Sequence, residues 1–208
     1  MPKNLLSYKN IIFDFGGVII NIDYNLTTAA FRKMGLDNFD KFFSKAQQKQ
    51  LFDQYEKGLI STEQFRTEIQ SVFHVKPSDH DIISAWNAML LDLPQERLDL
   101  LKRLKETHRT FLLSNTNEIH IETIYDMLAK KMGIATLDEY FEKIYFSYEM
   151  KMRKPDEEIF KHVLSENGLI ASETLFIDDS PQHIEGAKKV GIQTYYLDVA
   201  KESILDIF

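Results

Sequence analysis

A lone carboxylate, Asp14, closes the apolar run Ile11-Ile12-Phe13 in the stretch IIFDFGGVII, and two glycines follow almost at once. Burying an unpaired carboxylate is costly, so a charge at that place is paired, caps a turn or reacts. Three more polar clusters stand out along the chain. Ser114 heads Asn115-Thr116-Asn117, Arg153-Lys154 precedes Pro155, and Asp178-Asp179-Ser180 precedes Pro181. Brought together, they would form a site of three carboxylates, a hydroxyl, an amide and a fixed cation. Hard carboxylate oxygens suit a magnesium ion, which takes one or two of them directly and leaves room for water and a substrate phosphate. A lysine, a hydroxyl and the N–H groups of helix starts suit the phosphate itself. A carboxylate placed beside such a metal can act as nucleophile and form an acyl phosphate that water then cleaves.

Each cluster has a plainer reading beside the chemical one. Asp14 could cap a turn at a strand end, and Ser114-Asn115 could open a turn or helix. Lys154 could be an exposed loop lysine, and Asp178-Asp179-Ser180 could cap the helix that Pro181 opens. Asn117 and Arg153 fit a structural role or a binding role equally well.

The elements that must position these residues are legible around them. Short apolar runs at Ile11–Asp14, Phe111–Ser114, Ile144–Ser147, Leu175–Asp178 and Thr194–Leu197 read as strands buried on both faces. The last four are separated by helix-like segments, the pattern of a parallel α/β sheet. Pro94 opens one helix with Leu98, Leu101 and Leu104 on a face. Pro155 opens a second, ending before Gly168, and Pro181 a third, ending before Gly191. Ligands of such sheets bind beyond the carboxyl ends of the strands, which is where Asp14, Ser114 and Asp178 fall.

Between the first strand and Pro94 the character changes. Aromatic and aliphatic residues recur at helical spacing with no strand pattern: Phe39, Phe42, Phe43, Leu51, Phe52 and Tyr55, then Phe65, Ile69 and Phe73, then Ile82, Ile83, Trp86, Met89 and Leu90. They read as the inner faces of packed helices. The expected organisation is a Rossmann-like α/β core made of residues 1–20 and 93–208, with a helical cap domain, residues 21–92, inserted in its first crossover.

The 208 residues, 44% hydrophobic and 27% charged, suffice for a sizeable core. A net charge of -7 argues against a general nucleic-acid binder. No apolar run is long enough to span a bilayer, MPKNLLSYKN lacks the pattern of a secretory signal, and there is no cysteine for disulfides or thiolate chemistry. A cytoplasmic protein is expected. The six histidines show no zinc spacing, and His162 and His183 are expected to face solvent on their helices. The DFG triplet lacks the other kinase signatures, and the paired glycines match neither a P-loop nor a dinucleotide fingerprint.

Taken in order, FDFGGVI, LLSNTN, MRKP and FIDDS resemble the four motifs of the haloacid dehalogenase-like hydrolases, and they run nearly the length of the chain. The LSNTN and MRKP wording is similar to that of small sugar-phosphate phosphatases, in particular the α-D-glucose-1-phosphate phosphatase type. The resemblance implies Asp14 as nucleophile, Ser114 (with Asn115 beside it) as phosphate-binding group, and Lys154 as the cation that offsets nucleophile and phosphate. It implies magnesium held by Asp14, the Gly16 carbonyl, Asp178 and Asp179, with Asp178 in direct contact. A helical lid over the site would then set specificity for a small phosphorylated metabolite.

One departure stands out. Phosphatases of this family usually carry a second aspartate two residues after the nucleophile, to protonate the leaving group and activate water. Here that position is Gly16. A leaving group that needs little protonation, such as a sugar 1-phosphate oxygen, would lessen the loss; so would a carboxylate or histidine from the insert, such as Asp23. Two rival readings follow: a metal-free 2-haloacid dehalogenase, against which the Asp178-Asp179 pair counts, and a non-catalytic binding protein, favoured by Gly16 alone.

Overall fold

The computed structural model describes residues 4–36, 46–73 and 76–208. Five parallel strands form its centre: β1 (Asn10–Phe13), β2 (Arg109–Ser114), β3 (Lys143–Phe146), β4 (Thr174–Asp178) and β5 (Gln193–Tyr196), in the order β3-β2-β1-β4-β5. Asn10 lies opposite Arg109 on one side and Thr174 on the other, so β1 is the central strand. The apolar runs predict all five strands, with boundaries one or two residues away. Asp14 and Ser147 stand just past their strands, while Leu197 is beyond β5.

Alternation along the strands divides the core into two layers. Ile11, Phe13, Leu112 and Ile177 pack with Leu98 and Leu101 of one helix (Gln95–Lys105) and Ile124 and Leu128 of another (Glu118–Met132). Ile12, Phe111, Leu113 and Phe176 face the other way, onto Ile159, Phe160 and Val163 of helix Glu157–Glu166 and onto Ile184 and Ala187 of helix Pro181–Lys189. Such two-sided burial is why these strands read as continuous apolar runs. Pro181 occupies the first helical turn as expected. Pro155 does not: its helix begins at Glu157 after the Asp156 cap, so Arg153 and Lys154 lie in the loop before it. Proline fixes its own backbone but leaves the start of the first turn to the capping residue.

Among the described residues, four helices lie in the segment between β1 and the Gln95–Lys105 helix: α1 (Tyr24–Lys33), α2 (Ala46–Glu56), α3 (Thr62–Gln70) and α4 (Asp79–Asn87). Reciprocal capping boxes, Ser61 with Gln64 and Ser78 with Asp81, start α3 and α4. Phe31, Phe52, Tyr55, Phe65, Ile82 and Trp86 make a separate aromatic core. Phe52 stacks on Trp86 at 5.1 Å and Tyr55 on Phe65 at 4.1 Å. The helical faces predicted from Leu51 to Trp86 fit this packing, although Phe73 falls past the end of α3, and Met89 and Leu90 fall past the end of α4, with Leu90 packed on the sheet core instead; Phe39, Phe42 and Phe43 lie outside the described residues. The segment leaves and re-enters the sheet layer at one place. Asn21 N–H donates to Asp92 O, Leu91 N–H to Asn21 O and Asp23 N–H to Met89 O. Among the described residues, no helix is long and apolar enough to cross a membrane.

Candidate active site

Parallel strands bring their carboxyl ends to one edge, and Asp14, Ser114 and Asp178 meet there from β1, β2 and β4. Lys154 joins them from the loop and is fully buried. Its Nζ donates to Asp14 Oδ1 at 2.5 Å and to Asp178 Oδ2 at 2.7 Å. Burial opposes the charge on Lys154, yet the two carboxylates outweigh it and hold the ammonium above its ordinary pKa. Burial also works against the Asp178 charge; Lys154 and His183 overcome it and keep that carboxyl below the usual range. Asp14 is pushed up, by burial first and by the nearby Asp178 as well, against the pull of Lys154.

Asn115 holds the cation in place. Its Nδ2 donates to Lys154 O at 2.8 Å, and its Oδ1 accepts from Lys154 N–H at 2.9 Å. Both ends of the amide are thus committed to the lysine backbone. Ser114 is a buried residue at the end of β2, and no hydrogen bond of its hydroxyl is seen among the described residues. Asn117 caps its helix through His120 N–H and contacts the His120 ring, and with 1% exposure it is structural.

His183 departs from the sequence reading. Rather than facing solvent, its Nδ1 lies 3.0 Å from each Asp178 oxygen. The helix opened by Pro181 points its first turn back at the end of β4, and position 183 falls in that turn. His162 remains on the surface beside Glu166. Asp23 caps α1, accepting from Asn25 N–H at 2.9 Å.

Asp179 completes a cluster in which Asp14, Asp178 and Asp179 each offer an oxygen within 4.8 Å of the others. Burial, then the charges of Asp14 and Asp178, push Asp179 up to about 7. Three carboxylates against a single lysine leave surplus negative charge, the condition a divalent cation relieves. Gly17 makes the crowding possible. It has φ +77, and a Cβ there would meet Asp179 Oδ2 at 2.4 Å. Gly16 itself is not in that left-handed region.

Above these groups is a small cavity of about 80 Å³, walled by Gly16, Tyr24, Glu56, Trp86, Ser114 and His120, among others. Tyr24 and Glu56, both from the insert, are not singled out by the sequence. The insert is clamped there by Arg153, which pairs with Asp53 and, at 2.9 Å, with Glu56. Ser147 donates to Glu56 O at 2.6 Å, Lys151 to Gly58 O at 2.6 Å, and Lys57 bridges Asp156 at 2.8 Å.

The haloacid dehalogenase-like hydrolase family matches residues 8–191. D-ribitol-5-phosphate phosphatase of Bacteroides thetaiotaomicron is 33% identical over 187 residues, 90% of this chain and 90% of that protein. A solved HAD family enzyme of the same organism, in complex with magnesium and inorganic phosphate, is similar with a TM-score of 0.88 and 39% identity, covering 97% of this chain and 99% of that one. A HAD-like family hydrolase of Porphyromonas gingivalis gives 0.84 and 31%, with 97% and 96% covered. A likeness that spans the motifs and the whole fold together makes the chain a member of the haloacid dehalogenase-like hydrolase family.

Proposed function

We propose that the protein is a magnesium-dependent phosphatase that moves the phosphoryl group of a small metabolite onto Asp14 and then to water. The observation that carries the reading is the Lys154 ammonium held between Asp14 and Asp178 under a cavity lined by Ser114. Asp14 attacks phosphorus, the bond to the leaving oxygen breaks, and an aspartyl phosphate forms. Lys154 offsets the charge gathered between the carboxylate and the phosphate, while Asn115 keeps the lysine in position. The Ser114 hydroxyl is free to hold a phosphate oxygen. Asp14, Asp178, Asp179 and the Gly16 carbonyl would hold magnesium, which when bound neutralises phosphate charge and orients the group for transfer.

Residues 21–92 serve as a cap that closes over the sheet edge. The cavity's small volume supports a small substrate, and the relative named for D-ribitol 5-phosphate points to sugar or sugar-alcohol phosphates as its class. The acidic cluster speaks against the metal-free dehalogenase, and the intact Asp14–Lys154 pair against a pure binding protein. A panel of sugar, sugar-alcohol and aryl phosphates, assayed for phosphate release with and without magnesium, tests the reading. Asp14→Asn should abolish release while the fold survives. Near-native turnover by that variant, or turnover indifferent to magnesium removal, would overturn it.

A further inference from the structure

A phosphatase without a side chain at position 16 still needs a proton for the departing oxygen and a base for the attacking water. Three titratable residues of the insert and the neighbouring Glu118–Met132 helix line the cavity over Gly16: Tyr24, Glu56 and His120. His120 is spent. Its Nδ1 meets Asn117 Nδ2 at 3.2 Å and its Nε2 meets Trp86 O at 3.3 Å; its ring stacks on Trp86, and burial lowers it to about 4. Tyr24 is 65% exposed as a residue, but partial desolvation first and then Asp14 and Asp179 push it above its ordinary value, and its hydroxyl keeps its proton near neutral pH.

Glu56 is placed differently. It also lines a second, larger cleft of about 490 Å³, whose wall includes Asp53, Arg153, Gln182 and His183; among the lining residues it is the one that both cavities share. A carboxyl in that partition borders the cavity that Gly16, Ser114 and Asn115 line on one side and the larger cleft on the other. Its side chain retains 25% exposure. Its backbone carbonyl accepts from Ser147 Oγ, and its Oε2 lies 2.9 Å from the Arg153 guanidinium in an ion pair. Burial raises its affinity for a proton and Asp53 adds to this, while Arg153 and Lys154 work against it. The other charged or titratable groups around it are Tyr24 from α1, Lys57 from the turn after α2, Asp156, and His183 across the larger cleft.

Resting on the phosphatase reading above, we propose that Glu56, brought in by the insert, is the general acid and base that position 16 lacks. In the first step the Asp14–phosphorus bond forms and the phosphorus–oxygen ester bond breaks. The electron pair stays on the leaving oxygen, which takes the Glu56 proton and departs as an alcohol. In the second, water attacks phosphorus, the Asp14–phosphorus bond breaks, and the proton lost by water returns to Glu56. The balance is ester plus water to alcohol plus phosphate.

The test is the dependence of rate on leaving-group pKa, measured with alkyl and aryl phosphates on the native protein, Glu56→Gln, Gly16→Asp and the double variant. Glu56→Gln should lose roughly 10²–10⁴-fold on alkyl phosphates but far less on p-nitrophenyl phosphate, whose leaving oxygen needs no proton. Gly16→Asp should restore alkyl turnover in the Glu56→Gln background at least about tenfold. Position 16 lies outside the left-handed region, and the nearest atom to a Cβ there is Cδ1 of the Ile22 side chain at 3.0 Å, which must give by a few tenths of an ångström. Equal losses on both substrate types, or full alkyl turnover by Glu56→Gln, would overturn the proposal. So would a steep leaving-group dependence in the native protein, whether or not the variants fold. Failure of the phosphatase reading looks different: the native protein then releases phosphate from neither class.

Discussion

Replacing Lys154 with methionine keeps the length of the side chain and removes the charge that binds the site together. In the native protein Nζ lies 2.5 Å from Asp14 and 2.7 Å from Asp178, and the side-chain exposures of Lys154, Asp14 and Asp178 are 0%, 11% and 0%. Without the ammonium two buried carboxylates face each other with His183 as the nearest relief. Breaking a buried pair in this way costs roughly 3–5 kcal/mol, a large share of the total stability of a typical domain. The loss should depend on pH, with a definite sign. Both carboxyls would take folded-state pKa values above those of the unfolded chain, so the folded variant binds more protons than the unfolded one. Its stability therefore falls as pH rises through that window. Urea unfolding in metal-free buffer should show a small penalty near about pH 4 and the full penalty above neutrality. Adding Asp14→Asn to Lys154→Met should recover part of the loss. A penalty under about 1 kcal/mol at neutral pH, or one that is the same at both pH values, would refute the coupling described here.

Asp179 offers a check with the opposite outcome. Its folded-state pKa of about 7 lies above the unfolded value, so its charge progressively costs stability as pH rises toward neutrality. Asp179→Asn should raise the melting temperature of the metal-free protein above pH 7 and leave it unchanged near about pH 4; calorimetry at the two values decides. Gly17→Ala forces a side chain into the left-handed region and against Asp179. It should cost about 1 kcal/mol or more of stability and weaken magnesium binding in titration calorimetry, and native-like binding would show that Asp179 need not approach that closely.

The sheet was legible because strands buried on both faces leave continuous apolar runs, and the convergence of Asp14, Ser114 and Asp178 followed from parallel strands ending at one edge. What escaped depends on contacts between distant segments. His183 carries a local signal that was available: it follows Asp178 within the first turn of a helix aimed at that strand end. Glu56 carries none, being one charged residue among several on α2; its place is set by Ser147 and Arg153, about a hundred residues away. The role of Asn115 was likewise invisible, since its partner is a backbone rather than a side chain.

The meeting of Asn21 with Leu91 and Asp92 has a consequence for how such a chain can change over time. The ends of the helical segment are joined side by side, so from β1 and β2 the long excursion resembles a short turn. Loop-closure entropy grows only slowly with length, by about 0.6 kcal/mol per doubling, and here much of it is already spent at the join. Residues can be added, lost or exchanged within the helical segment with little effect on the pairing of Asn10 with Arg109. The sheet edge can thus keep its chemistry while the excursion above it is rebuilt for a different molecule, and the two parts are free to diverge at different rates.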